Sequence, residues 1–173
     1  PTRRSSDLVL GENVVVRGST SVTFGSTVDS LGGGTFNLIV NSPLTFFNGD
    51  VGNATVDSFL GLLQTNAAGT TTINAGFVKA EQINFEDAIV LGQNVVTRGS
   101  TSVRFGSTID SESGEANNLI VNSPLTRFDG RIGRGPGGEL GLLQTNAAGV
   151  TTINGESIQA NIVNFEDAVI LGQ

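Results

Sequence analysis

The chain has 173 residues, a formal net charge of −7 and only 14% charged residues. Its 24 glycines and abundant Thr, Ser, Asn and Val are typical of short strands joined by tight turns. Cysteine, methionine, tryptophan, tyrosine and histidine are all absent, which excludes disulfides, thiolate nucleophiles and imidazole catalysis. The acidic charge argues against a nucleic-acid partner, and no apolar run is long enough for this segment to insert into a membrane.

The first eight residues differ from the rest of the chain. The run from Pro1 to Leu8 resembles a one-frame translation of the end of a standard sequencing-library adapter. We therefore interpret 1–8 as an artefact with no structural role, and the chain as a metagenomic fragment. These residues are expected to be unpaired.

The remaining sequence consists of two copies of one unit, 9–90 and 91–173. The segments RGSTSV at 17–22, NLIVNSPLT at 37–45, LGLLQTNAAG at 60–69 and NFEDA at 84–88 recur at 98–103, 118–126, 140–149 and 164–168. The offset between the copies drops by one between Asn53 and Phe59, where the second copy is rich in Gly and Pro. A segment that changes length in this way predicts a surface loop.

Within each copy, similar apolar–turn–apolar segments follow one another, and in the first copy they begin at Phe24, Phe47 and Ile73. Their spacing is typical of one coil of a parallel β-solenoid, roughly 20 to 30 residues, so we predict an all-β chain with three to four coils per unit of about 80 residues. The alternative is two tandem β-sandwich domains. The β-solenoid is favoured because no linker separates the copies: Leu91 to Val95 runs directly from one into the next.

Strand alternation predicts which side chains form the core. Phe46 is replaced by Arg127 in the second copy, whereas the following Phe47 is kept as Phe128, so Phe46 is expected in solvent and Phe47 inside. The predicted core comprises Phe24, Val28, Phe47, Val51, Ile73, Phe85, Ile89, Phe105, Ile109, Phe128, Ile132, Ile153, Phe165 and Val169. Turn asparagines such as Asn48 and Asn74 are expected to stack as amide ladders and to tolerate left-handed backbone.

The blocks NLIVNSPLT, LGLLQTNAAGTTTIN and NFEDAIVLGQ resemble those of giant bacterial β-strand-repeat surface proteins, the filamentous-haemagglutinin-like and autotransporter-like adhesins. The resemblance covers 9–173. It implies a right-handed parallel β-helix (β-solenoid) stalk, located outside the cell or on the bacterial cell surface, and it implies no catalytic residues.

Paired carboxylates occur twice, and they are weak candidates for calcium ligands: Glu86, Asp87, Glu166 and Asp167. Adjacent strand residues point to opposite faces, so solvated turn positions are the favoured interpretation. We therefore predict no metal site and no cofactor.

Basic residues give little support to catalysis. Lys79 is the lone lysine and its counterpart is Gln159, so a pectate-lyase-like site could not occur in both units, and the chain is predicted not to be an enzyme. Arg98 could bind an acidic glycan, although an ion pair with Asp110 is the ordinary explanation.

These observations predict a structural or adhesive stalk segment of a large secreted or cell-surface bacterial protein. Its expected partners are the neighbouring repeats of the same chain and, in addition, host or matrix glycans or proteins. The alternative is a carbohydrate-binding or carbohydrate-active β-helix.

Overall fold

The chain folds as a β-solenoid of about eight coils, which confirms the predicted fold class. The computed structural model describes residues 7–53, 57–66, 68–146 and 148–172. These residues form eighteen strands and no helix. The strands are β1 Leu8–Leu10, β2 Val14–Arg17, β3 Ser21–Phe24, β4 Val28–Ser30, β5 Leu38–Asn41, β6 Leu44–Phe47, β7 Leu60–Thr65, β8 Thr70–Ile73, β9 Phe77–Phe85, β10 Ala88–Leu91, β11 Val95–Phe105, β12 Ile109–Ser111, β13 Leu119–Asn122, β14 Leu125–Phe128, β15 Leu140–Thr145, β16 Val150–Ile153, β17 Ala160–Phe165 and β18 Ala168–Leu171.

Each coil places its strands on three faces, and each strand pairs in parallel with its counterpart one coil away. Face 1 contains β1, β4, the single bridges at Val51 and Val78, the first half of β11, β13 and the last residues of β15 and β17. Face 2 contains β2, β5, β7, the second halves of β9 and β11, β14, β16 and β18. Face 3 contains β3, β6, β8, β10, β12 and the bridges at Ile132 and Ile158. Parallel pairing throughout the described strands excludes the β-sandwich alternative, which requires antiparallel sheets.

Coil length varies because the corner loops vary while the strands stay in register. On face 1, Val51 pairs with Val78 of the next coil, and Val78 pairs with Thr97 of the coil after it, so the second of these two coils is the shorter. Strands β9 and β11 are long because each continues around a corner of the solenoid. The shorter coil contains β9 and therefore has less loop.

The two sequence copies lie on different faces. The NLIV strand is on face 2 in the first copy, as β5, and on face 1 in the second, as β13. Eleven strand positions separate β2 from the equivalent first half of β11, and at three positions per coil this is three and two-thirds coils. The expected three to four coils per unit is therefore correct, and the second copy is rotated by a third of a turn relative to the first.

The core is a set of stacked rows running along the axis. Twelve of the predicted core residues are buried, from Phe24 to Ile153 in that list. Phe24 stacks on Phe47 with ring centroids 5.0 Å apart, and Phe105 stacks on Phe128 at 5.4 Å. Phe46 points outward, as strand alternation predicts, but it is half-buried and not fully in solvent.

Two predicted core residues lie in the last coil and are not fully buried. Val169 is 41% exposed and Phe165 is half-buried, so the core prediction is wrong for Val169 and incomplete for Phe165. Val169 does pair with the fully buried Thr151 of the coil below, but no described coil covers its other side. A core residue of a solenoid is buried by the coil before it and by the coil after it. Strand alternation predicts only whether a side chain points inward, not whether both of these coils are present.

The solenoid begins inside the segment that the sequence analysis set aside as an artefact. Leu8 pairs with Val28, and Asp7 accepts a hydrogen bond from Ser26 Oγ at 2.6 Å. The expected boundary at residue 8 therefore needs correction for these two residues, and residues 1–6 lie outside the described chain.

The expected variable loop is present in the second copy. Residues 133–139 contain no strand and connect Ile132 to β15, and Gly137 has a positive φ of 67°. Asp110 holds this loop by accepting a hydrogen bond from the Gly135 N–H at 2.7 Å. In the first copy, residues 54–56 of the matching loop lie outside the described chain.

Candidate functional site

Asp87 is buried, which corrects its interpretation as a solvated turn residue. Only 1% of its surface is exposed, at the corner between β9 and β10. Thr65 Oγ1 donates a hydrogen bond to Asp87 Oδ1 at 2.5 Å, and Thr71 Oγ1 donates to Oδ2 at 2.8 Å. Burial raises the pKa of Asp87 above its usual value, although both hydroxyl hydrogen bonds act in the opposite direction.

The second copy repeats this cluster with the same geometry. Asp167 accepts hydrogen bonds from Thr145 at 2.6 Å and from Thr151 at 2.7 Å. The neighbouring Glu86 and Glu166 each accept a hydrogen bond from the asparagine two residues earlier, near the end of the preceding strand. Both carboxylates of each pair are thus engaged within the corner, and across the described part of the chain no three acidic residues gather as a cation site would require.

An arginine cluster occupies face 2 in the second copy. Arg104 Nε lies 2.8 Å from Asp129 Oδ2, and Arg127 Nε lies 2.5 Å from Oδ1. Burial alone would raise the pKa of Asp129, but hydrogen bonds from Arg127, Asn154 and Arg104 hold it below its usual value. In the first copy the equivalent positions are Thr23, Phe46 and Asn48.

These three positions therefore differ together between the copies, and Asp129 offsets one of the two positive charges of the cluster. Sequence comparison placed Arg127 in solvent but missed Asp129 as the shared counter-ion of Arg104 and Arg127. The sequence does indicate this counter-ion, because Asn48 of the first copy is replaced by Asp129, two residues after Arg127.

Asparagines align the coils at several corners. Asn74 Nδ2 donates to Asn48 Oδ1 at 2.8 Å, which is the expected amide ladder. The positive φ values outside glycine, however, belong to Ala68 and Ala148, at 66° and 67°, and not to asparagine in the described chain.

A shallow groove on face 1 is lined by two basic residues and by Phe59, and Phe77 lies next to it, in contact with Arg98. Lys79 Nζ lies 5.0 Å from the centre of the Phe59 ring, and the Arg98 guanidinium lies 5.8 Å from the centre of the Phe77 ring. Gly52, with φ of 66°, lets its coil approach the backbone of both Lys79 and Phe59. The expected ion pair between Arg98 and Asp110 is not formed: Asp110 holds the 133–139 loop instead.

The groove has a volume of about 220 Å³ and is lined by Phe59, Lys79, Ala80, Arg98, Ser100 and Asn122. Its position follows from strand register, because Arg98 pairs with Lys79 on one side and with Asn122 on the other. The sequence could not place Phe59 and Arg98 together, since the strand that carries Lys79 lies between their coils.

Fold and surface together define the class of protein as a β-solenoid repeat protein. Comparison with protein-family models, with curated proteins and with solved structures gives no significant match. Among the described residues no helix is long and apolar enough to cross a membrane.

Proposed function

We propose that this chain is a structural or adhesive stalk segment of a large secreted or cell-surface bacterial protein. The observation that carries the proposal is continuous parallel pairing across the junction of the two copies, where β9, β10, β11 and β12 pair as they would within one copy. Repeats joined in this way form one stiff rod, since each coil is paired above and below.

The length of the rod follows from the spacing of its coils. About eight coils at roughly 4.8 Å extend to about 35–40 Å, so each unit adds about 18 Å of reach. The rest of the described surface consists of corner loops and exposed strand residues. Location outside the cell is supported by the resemblance of the sequence blocks to those of surface adhesins.

Two measurements test the proposal. Small-angle scattering should give a rod-like particle whose cross-section stays constant when a further unit is added and whose length grows by about 18 Å. Beads coated with the chain should adhere to host cells or matrix more than beads coated with an unrelated protein of equal charge. Release of unsaturated or reducing sugars from polysaccharides by the purified chain would contradict the stalk proposal and support a carbohydrate-active enzyme.

A further inference from the structure

Two cations lie side by side on the outer surface of face 1. Lys79 and Arg98 are register partners on neighbouring strands, so their Cα atoms are separated by about one strand spacing of 4.8 Å. Their neighbours Val78 and Thr97 are fully buried, which places both cationic side chains outward. Arg98 is exposed and makes no salt bridge with any described residue.

Two aromatic rings flank these cations. Lys79 contacts Phe59, which lines the groove, and Arg98 contacts Phe77, which lies next to the groove and remains 36% exposed. A ring beside a cation offers an apolar face for the C–H groups of a sugar while the cation binds its acidic group. Ser100 and Asn122 also line the groove, whose exposed wall is almost entirely apolar and can pack against the C–H faces of a sugar.

The fold does not require this arrangement. The second copy has Gln159 in place of Lys79, Ser157 in place of Phe77 and Glu139 in place of Phe59, and it keeps the same strand pairing. The basic and aromatic residues therefore coincide at one place on the described surface, at the junction of the two copies.

We propose that this groove binds an acidic sugar through its carboxylate, which rests on the proposed adhesive function and names its ligand class. The planar fork of Arg98 matches a carboxylate, Lys79 adds a second point charge, and the apolar wall of the groove, which includes Phe59, packs on the pyranose. Two cations on a chain of net charge −7 suit one isolated carboxylate better than a dense polyanion such as nucleic acid.

Isothermal titration of the full chain with tetragalacturonate tests this proposal. Binding should be seen with the acid and be at least about tenfold weaker with its fully methyl-esterified form, because esterification neutralises the carboxylate that Arg98 and Lys79 would bind. Lys79→Gln and Arg98→Gln should each weaken binding by at least about tenfold at unchanged melting temperature. Lys79→Gln copies the second unit, so the fold accommodates it.

Arg131→Gln is the matched control, because it removes an equally exposed arginine that faces Glu156 away from the groove. It should leave binding unchanged. Absence of binding, equal binding of the ester, or equal loss in all three variants would overturn the proposal, and so would tighter binding of a sulfated oligosaccharide or of dT20. None of these outcomes bears on the rod or on bead adhesion, whereas cleavage of the tetragalacturonate would refute the stalk proposal itself.

Discussion

Two buried threonines of one inward row provide a matched test of the role of Asp87. Thr45 and Thr71 are register partners on β6 and β8, and both are fully buried. Thr71 donates its hydroxyl hydrogen to Asp87 at 2.8 Å, whereas the Thr45 hydroxyl has no hydrogen-bond partner. The same substitution to valine, which keeps the shape of the side chain, should therefore have opposite effects at the two positions.

Thr71→Val leaves a buried carboxylate oxygen without one of its donors and should lower the free energy of unfolding by about 1–3 kcal/mol. Thr45→Val replaces an unsatisfied buried hydroxyl by a methyl group and should raise it by about 1 kcal/mol. The predicted gap between the two variants is thus about 2–4 kcal/mol for one chemical change in one row.

Urea unfolding followed by far-ultraviolet circular dichroism measures this gap, because the chain has no tryptophan or tyrosine for fluorescence. Midpoints are compared at equal slope, since solenoid unfolding need not be two-state. The second copy offers a repeat of the experiment, with Thr126 unpartnered and Thr151 bound to Asp167. Equal losses at Thr45 and Thr71, or a neutral Thr71→Val, would refute the hydrogen-bond argument.

Three further predictions concern the core, the buried carboxylate and the backbone. Phe47→Ala should cost about 3–5 kcal/mol of unfolding free energy and Phe46→Arg less than about 0.5 kcal/mol, as measured by urea midpoints; a larger loss at Phe46 would reverse the strand register. Because the raised pKa of Asp87 makes the folded chain bind a proton more tightly, its contribution to stability is present below the unfolded pKa of about 3.9 and declines as pH rises to the folded pKa. Asp87→Asn should remove this decline from the melting temperature measured against pH, and an unchanged profile would contradict it. Ala68→Gly should stabilise by about 0.5–1 kcal/mol by relieving its positive φ, whereas the buried Ala75→Gly should destabilise, and calorimetry of both variants distinguishes the two effects.

The sequence was sufficient to predict the solenoid and most of its core. The spacing of Phe24, Phe47 and Ile73 reflects a coil that returns to the same face, because these three residues are successive register partners on face 3. The paired change of Phe46 to Arg127 beside an unchanged phenylalanine identified the inward side of β6 and β14. Period-two alternation is a local property of a strand, so it can be derived without knowing which strand lies next to it.

The features that sequence analysis missed depend on contacts between coils. Asp87 looked like a solvated turn residue because its two partners, Thr65 and Thr71, precede it by 22 and 16 residues. Arg98 was expected to pair with Asp110 in its own coil, but it lies against Phe77 of the coil below. Because corner loops differ in length, the sequence separation between residues that contact each other in neighbouring coils varies from coil to coil. Side-chain partners in different coils therefore cannot be derived from the sequence alone.

The fractional number of coils per unit determines how an array of such units would face its surroundings. With three and two-thirds coils each, the NLIV strand moves from face 2 to face 1 between the copies, and a third unit would place it on face 3. Equivalent loops would then return to the same side only after three units, or eleven coils, which is about 53 Å along the axis. A flat surface laid along such a rod would meet every third unit, while ligands in solution would find each loop displayed in three directions.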